Sequence, residues 1–98
     1  MPTFVMLSTL GPDGSARLRD NPGRLREVRT EVEAMGVRVL HQYALLGTWD
    51  FLNIIEAPDE VEMARVATTL NARGTLKTLT MPAIETEDFI AALESGSQ

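Results

Sequence analysis

One imidazole, one phenol and one indole are available to this chain, as His41, Tyr43 and Trp49. His41 is the only side chain whose ordinary pKa lies near neutrality, so any proton this chain moves at pH 7 is assigned first to it. Tyr43, two residues further along an alternating strand, falls on the same face as His41, and Tyr43 or Asn53 could orient an oxyanion. A single histidine is more simply a packed or solvated side chain. No second histidine and no cysteine can complete a site with it, so no metal is expected. The absence of cysteine also removes disulfides and thiol nucleophiles. Gln42, Asn53 and Glu56 are the remaining polar groups near His41, and with Trp49 and Asp50 they make up the candidate ligand-binding set. Trp49 and Tyr43 are equally suited to packing at a core or an interface, and Asp50 to fixing a turn by accepting its amide hydrogen bonds. The stretch Gly11-Pro12-Asp13-Gly14 has neither Walker nor dinucleotide-binding spacing, so no nucleotide or other cofactor is expected.

These residues must be positioned by a hairpin. Val37 to Leu45 reads as a strand, Leu46-Gly47-Thr48-Trp49 as a tight turn, and Asp50 to Ala57 as the returning strand. A turn centred on Gly47-Thr48 sets Tyr43 opposite Leu52, His41 opposite Ile54, Gln42 opposite Asn53 and Val39 opposite Glu56. One face then carries Val39, His41, Tyr43, Leu52, Ile54 and Glu56, and the other Leu40, Gln42, Ala44, Phe51, Asn53 and Ile55. Gln42 and Asn53 can satisfy one another's amides and so tolerate a dry, helix-covered side. His41, Tyr43 and Glu56 are therefore assigned to the opposite side, an assignment that a one-residue slip would invert.

Around the hairpin, Thr3 to Leu10 reads as a central strand with apolar groups on both faces, Phe4 and Met6 against Val5 and Leu7. Asn21-Pro22 suggests a helix start, and Leu25, Val28, Val32 and Met35 recur at helical spacing until Gly36. Asp59 and Glu62 stand at N-cap and N3 spacing before the stripe Met63, Val66, Ala67 and Leu70, which Gly74 ends. A strand from Thr75 to Ile84 and a short helix from Thr86, built on Phe89, Ile90 and Leu93, complete the chain, with residues 95–98 as a flexible tail. The order βαββαβ plus a terminal helix predicts one α+β domain over residues 1–94, the ferredoxin-like plan, with two parallel central strands and three helices.

With 98 residues, 44% hydrophobic and 23% charged, the chain has the composition of an ordinary globular domain. A net charge of -5 argues against a nucleic-acid surface, which depends on phosphate neutralisation. Charge is uneven, net +1 over residues 1–49 and net -6 over residues 50–98. The apolar start, Pro2 to Leu7, is short and has no basic lead, so neither export nor membrane insertion is expected and the cytoplasm is the default location. Helices on one side of the sheet leave the other side apolar and bare. Burying roughly 400 Å² of it at about 25 cal/mol per Å² is worth on the order of 10 kcal/mol before association costs, which predicts a face-to-face homodimer enclosing a cleft.

Leu46-Gly47-Thr48-Trp49-Asp50, with Glu56-Ala57-Pro58-Asp59 after it, resembles the GYD domain family, whose name records a Gly-x-Tyr-Asp signature. The likeness runs from Met1-Pro2-Thr3 to Thr86-Glu87-Asp88-Phe89. Trp49 departs from the family's tyrosine, so a role requiring a phenolic hydroxyl there is not available. The resemblance implies a dimeric α/β-barrel and no particular reaction. The hairpin and Gly74-Thr75-Leu76-Lys77-Thr78 are also similar to the effector domain of leucine-responsive regulators, which implies a stand-alone effector-binding or oligomerising module. Three functions follow: a homodimer holding a small apolar or amphipathic molecule in its cleft, such a regulatory module, or a cofactor-independent monooxygenase or isomerase acting on an aromatic or polyketide-like substrate through His41.

Overall fold

Alternation along Thr3–Leu10 builds β1, and in the computed structural model, which describes residues 1–11, 14–74 and 76–96, its odd and even positions part as the pattern requires. Phe4, Met6 and Ser8 are buried, whereas Val5, Leu7 and Thr9 remain partly exposed on the other side. The order is completed by α1 (Gly14–Asp20), α2 (Arg24–Ala34), β2 (Arg38–Ala44), β3 (Phe51–Glu56), α3 (Glu60–Ala72), β4 (Leu76–Ala83) and α4 (Thr86–Gly96). The strands form one sheet ordered β2-β3-β1-β4 in which every neighbouring pair is antiparallel. This is the α+β, ferredoxin-like arrangement. The central strands β1 and β3 are therefore not parallel, contrary to expectation. Each helical crossover does return the chain parallel to the strand before it, but the slot between is filled by a strand of opposite direction.

Two further departures have local causes. The sequence suggests one helix from Asn21-Pro22 and three helices overall, whereas the described residues hold four. The segment Gly14–Asp20 is already helical, and the break falls at Asn21-Pro22-Gly23, where the Arg24 and Leu25 amides donate to the Asn21 and Pro22 carbonyls at 3.1 and 3.2 Å. Proline disfavours helical backbone in the residue before it, which ends α1, and Gly23 rather than Asn21 becomes the N-cap of α2. Glycine is needed at position 14 because a Cβ there would stand 2.7 Å from that of Leu10. At the other end, α4 continues through Gly96, two residues into what reads as a tail. The turn residues Pro12 and Asp13, the residue Thr75, and Ser97 and Gln98 lie outside the described set.

The third departure is a bulge. Tyr43, Gln42 and His41 pair with Leu52, Asn53 and Ile54 as the turn predicts, but Val39 pairs with Ile55 and Arg38 with Glu56. The extra residue between Val39 and His41 moves Val39 to the helix side, where it is buried beside Ile55. Val39 thus leaves the face that holds His41.

The core lies between the sheet and helices α2 and α3: Phe4, Met6, Val39 and Ile55 from the strands meet Val32, Met63, Val66 and Leu70. Asp59 caps α3 by accepting from the Glu62 amide at 2.8 Å, and Gly36 and Gly74, both at positive φ, follow the ends of α2 and α3. Among the described residues, the opposite side of the sheet contributes no strand residue to that core. There Val5, Leu7, Leu52 and Ile54 are half-buried, and Leu79 and Met81 are exposed. Helix α4 buries no residue, and its Phe89 and Leu93 are exposed. The radius of gyration of 15.4 Å exceeds the roughly 13 Å of a compact domain this size, as an outlying helix requires.

Candidate functional site

Two polar constellations lie on opposite sides of the sheet, and the hairpin contributes to both. On the bare side, His41 and Tyr43 project together from the edge strand β2 with ring centroids 6.2 Å apart and planes inclined by 24°. Both are exposed, Tyr43 by 53%. Glu56, on the same side, pairs across the strands with Arg38 at 3.5 Å. This places His41, Tyr43 and Glu56 on one open face, beside Leu52, Ile54 and, further across, Leu79 and Met81. A stacked imidazole and phenol can accept an aromatic or apolar guest, or pack against a second surface.

Gln42 and Asn53 lie on the other side, beneath the helices. They face one another in register, yet neither side-chain amide makes a hydrogen bond among the described residues, so the mutual satisfaction expected of them does not occur. Both instead line a cavity of about 210 Å³ between the sheet and the helices. Ser8 and Asn53 form its buried polar floor, 2% and 7% exposed, and Gln42 its edge. Leu25, Val28, Phe51, Leu70 and Leu76 form apolar walls, and Arg17, Arg24 and Arg73 complete the lining.

The arginines are set by an ion-pair network. Arg24 contacts Glu27 at 3.0 Å and Glu31 at 3.1 Å, and Arg73 reaches the second oxygen of Glu31 from the end of α3. The Arg73 hydrogen bond, supported by Arg24, holds the Glu31 carboxyl below its usual range, and the bonds to Glu27 and then Glu31 raise Arg24. Arg17 has no carboxylate partner among the described residues. None of the three arginines was singled out from the sequence. They come from α1, α2 and the end of α3, and only the fold brings them together.

Asp50 belongs to neither constellation. Its Oδ2 accepts from the Leu10 amide at 2.8 Å, its own amide donates to the Ser8 carbonyl at 2.9 Å, and its carbonyl accepts from Leu45 at 2.7 Å. The carboxylate therefore fastens the hairpin base to the end of β1, instead of accepting the turn's own amides as the sequence suggests. Trp49, beside it, is partly buried and lines neither site. No group of three or more His, Cys, Asp or Glu suited to a metal occurs among the described residues.

The GYD domain family profile matches residues 4–93. The chain belongs to the GYD domain family. As a GYD domain it is 50% identical over 95 residues to the Thermus thermophilus "glutamine synthetase and cystathionine beta-lyase binding protein", covering 96% of this chain and all of that one. Solved structures share the fold. One described as FFRP-DM1 aligns at a TM-score of 0.58 and 23% identity, over 86% of this chain and 100% of its own. A hypothetical protein from Pyrococcus horikoshii aligns at 0.57 and 23% identity, over 87% of this chain and 92% of its own. In this GYD domain the signature aspartate is Asp50, and its visible contacts are structural ones. Among the described residues no helix is long and apolar enough to cross a membrane.

Proposed function

We propose that this GYD domain is a protein-binding module whose targets are enzymes of the kind named for its Thermus relative, a glutamine synthetase and a cystathionine β-lyase. The observation that carries this reading is the 50% identity, which spans the whole of that relative. The surface supports it: α4 buries no residue and leaves Phe89 and Leu93 exposed, apolar area outside the bare sheet face. The working form is a cytoplasmic homodimer joined through the bare faces. That pairing encloses a cleft with His41, Tyr43 and Glu56 at its margin, where a small apolar or amphipathic molecule could lodge. Recognition, not turnover, is the role assigned to it.

The test is association of the purified protein with each of the two enzymes from its own organism, followed by size-exclusion chromatography and surface plasmon resonance. Saturable binding to either enzyme is expected. No association with either at tens of micromolar refutes the proposal.

A further inference from the structure

The cavity under the helices raises a question separate from partner binding. Ser8 and Asn53 are more than nine-tenths buried and line that space, and neither side chain makes a hydrogen bond among the described residues. The sealed side-chain polar atom without a partner among the described residues is Thr80 Oγ1, so the Ser8 and Asn53 groups are open to the cavity, where a solute can satisfy them. Water alone suits this space poorly, because Leu25, Val28, Phe51, Leu70 and Leu76 wall most of it. At about 210 Å³ it is larger than the roughly 150 Å³ that accommodates benzene, and too small for a nucleotide.

We infer that this cavity is a binding site for a small organic acid, with its carboxylate at the arginines, its apolar body between the leucines and a hydroxyl or amide end at Asn53 and Ser8. Charge selects the anion: among the described residues the lining has three arginines and no acidic residue, and Glu31 pairs with two of the three, in a protein of net charge -5. Arg17, lacking a carboxylate partner among the described residues, is the anchor. Arg24 and Arg73 are held in place through Glu31, and a guanidinium has five N–H donors, so their existing bonds leave donors available. A void of about 30 Å³ next to the cavity shares Val28, Gln42, Asn53, Leu70 and Leu76 with it, which gives the polar end of a ligand room beside Asn53.

The test uses the isolated full chain, so its outcome is independent of any enzyme partner. Hexanoate, hexanamide and 6-hydroxyhexanoate are titrated by calorimetry and thermal shift against the wild type and the Arg17→Gln, Leu25→Trp and Asn53→Leu variants. Hexanoate is expected to bind saturably at roughly millimolar concentration, as its size permits. Hexanamide, and hexanoate on Arg17→Gln, should each bind at least about fivefold more weakly, since a charge-assisted bond is lost. Leu25→Trp, which fills the cavity, should abolish binding. 6-Hydroxyhexanoate should bind more tightly than hexanoate, and Asn53→Leu should remove that advantage. No saturable binding of either acid, a loss below about fivefold for the amide or for Arg17→Gln, or unaltered binding to a folded Leu25→Trp overturns the site. Equal binding of the two acids overturns the role given to Asn53 and Ser8. Should Leu25→Trp fail to fold, exposed Arg17 still decides the matter.

Discussion

Replacing Asp50 with alanine removes the 2.8 Å bond from the Leu10 amide while leaving in place the two backbone bonds that Asp50 makes to Ser8 and Leu45. A hydrogen bond to a charged group contributes about 1.5–3 kcal/mol, and the partial burial of this one favours a value near the middle, about 2 kcal/mol. At roughly 4–8 °C per kcal/mol for a domain of this size, Tm should fall by about 8–16 °C. Asp50→Asn keeps an acceptor oxygen at the same reach and should cost about half as much, because a neutral bond is worth roughly 0.5–1.5 kcal/mol. Both variants are unfolded thermally and in urea, followed by circular dichroism at one fixed protein concentration, since self-association would otherwise shift the midpoint. If Asp50→Ala lies within about 0.5 kcal/mol of wild type, the fastening role is wrong. If Asn is as damaging as Ala, the charge and not the acceptor matters, and the signature aspartate must be sought a role in binding.

Ile55→Ala, at a fully buried position in central strand β3, should cost about 2–5 kcal/mol in urea unfolding with an unchanged m-value. Glu31→Gln should cost less than about 1 kcal/mol, because its ion pairs with Arg24 and Arg73 are partly solvated. The Glu31 carboxyl is held below its usual range in the folded state, so its contribution is present above the ordinary carboxylate pKa and fades as pH falls through the lower folded value. The difference between wild type and Glu31→Gln should accordingly vanish in acid and shrink in high salt, and a constant difference across pH would contradict the network. Leu79→Glu with Met81→Glu places two charges on the bare face and should shift sedimentation from a dimer to a protomer. A wild-type protomer at micromolar concentration would end the face-to-face pairing.

The period of the sequence revealed the sheet and three of its helices: Val32 and Val66 are buried where helical spacing puts them, Asp59 caps α3 and α4 starts at Thr86, although α2 starts after Gly23 and not at Asn21-Pro22. It did not reveal α1, whose Gly14–Asp20 buries nothing and so has no apolar stripe to read. The bulge between Val39 and His41 was also invisible. Its cause is packing that draws Val39 inward beside Ile55, while alternation alone places Val39 outward with His41. For the candidate site, the same hairpin register correctly separates His41 and Tyr43 from Gln42 and Asn53, but it says nothing of what covers each face. The arginine cluster depends on distances between α1, α2 and the end of α3, which no local pattern encodes.

The uneven charge of the chain takes on a specific meaning once placed in space. A surface that binds a polyanion spreads its cations along a face, whereas Arg17, Arg24 and Arg73 converge on one cavity and Glu27 and Glu31 neutralise part of that cluster. Such an arrangement can hold one or two anionic oxygens but not a phosphate backbone. The acidic excess of the second half lies partly on α4, where Glu87 and Asp88 complement the start of the helix and Phe89 and Leu93 stay exposed. A partner that meets α4 must therefore offer apolar surface beside positive charge. A ligand in the cavity must offer negative charge. The two requirements differ in sign, so substitutions at Arg17 and at Phe89 or Leu93 should affect the two proposed kinds of recognition independently.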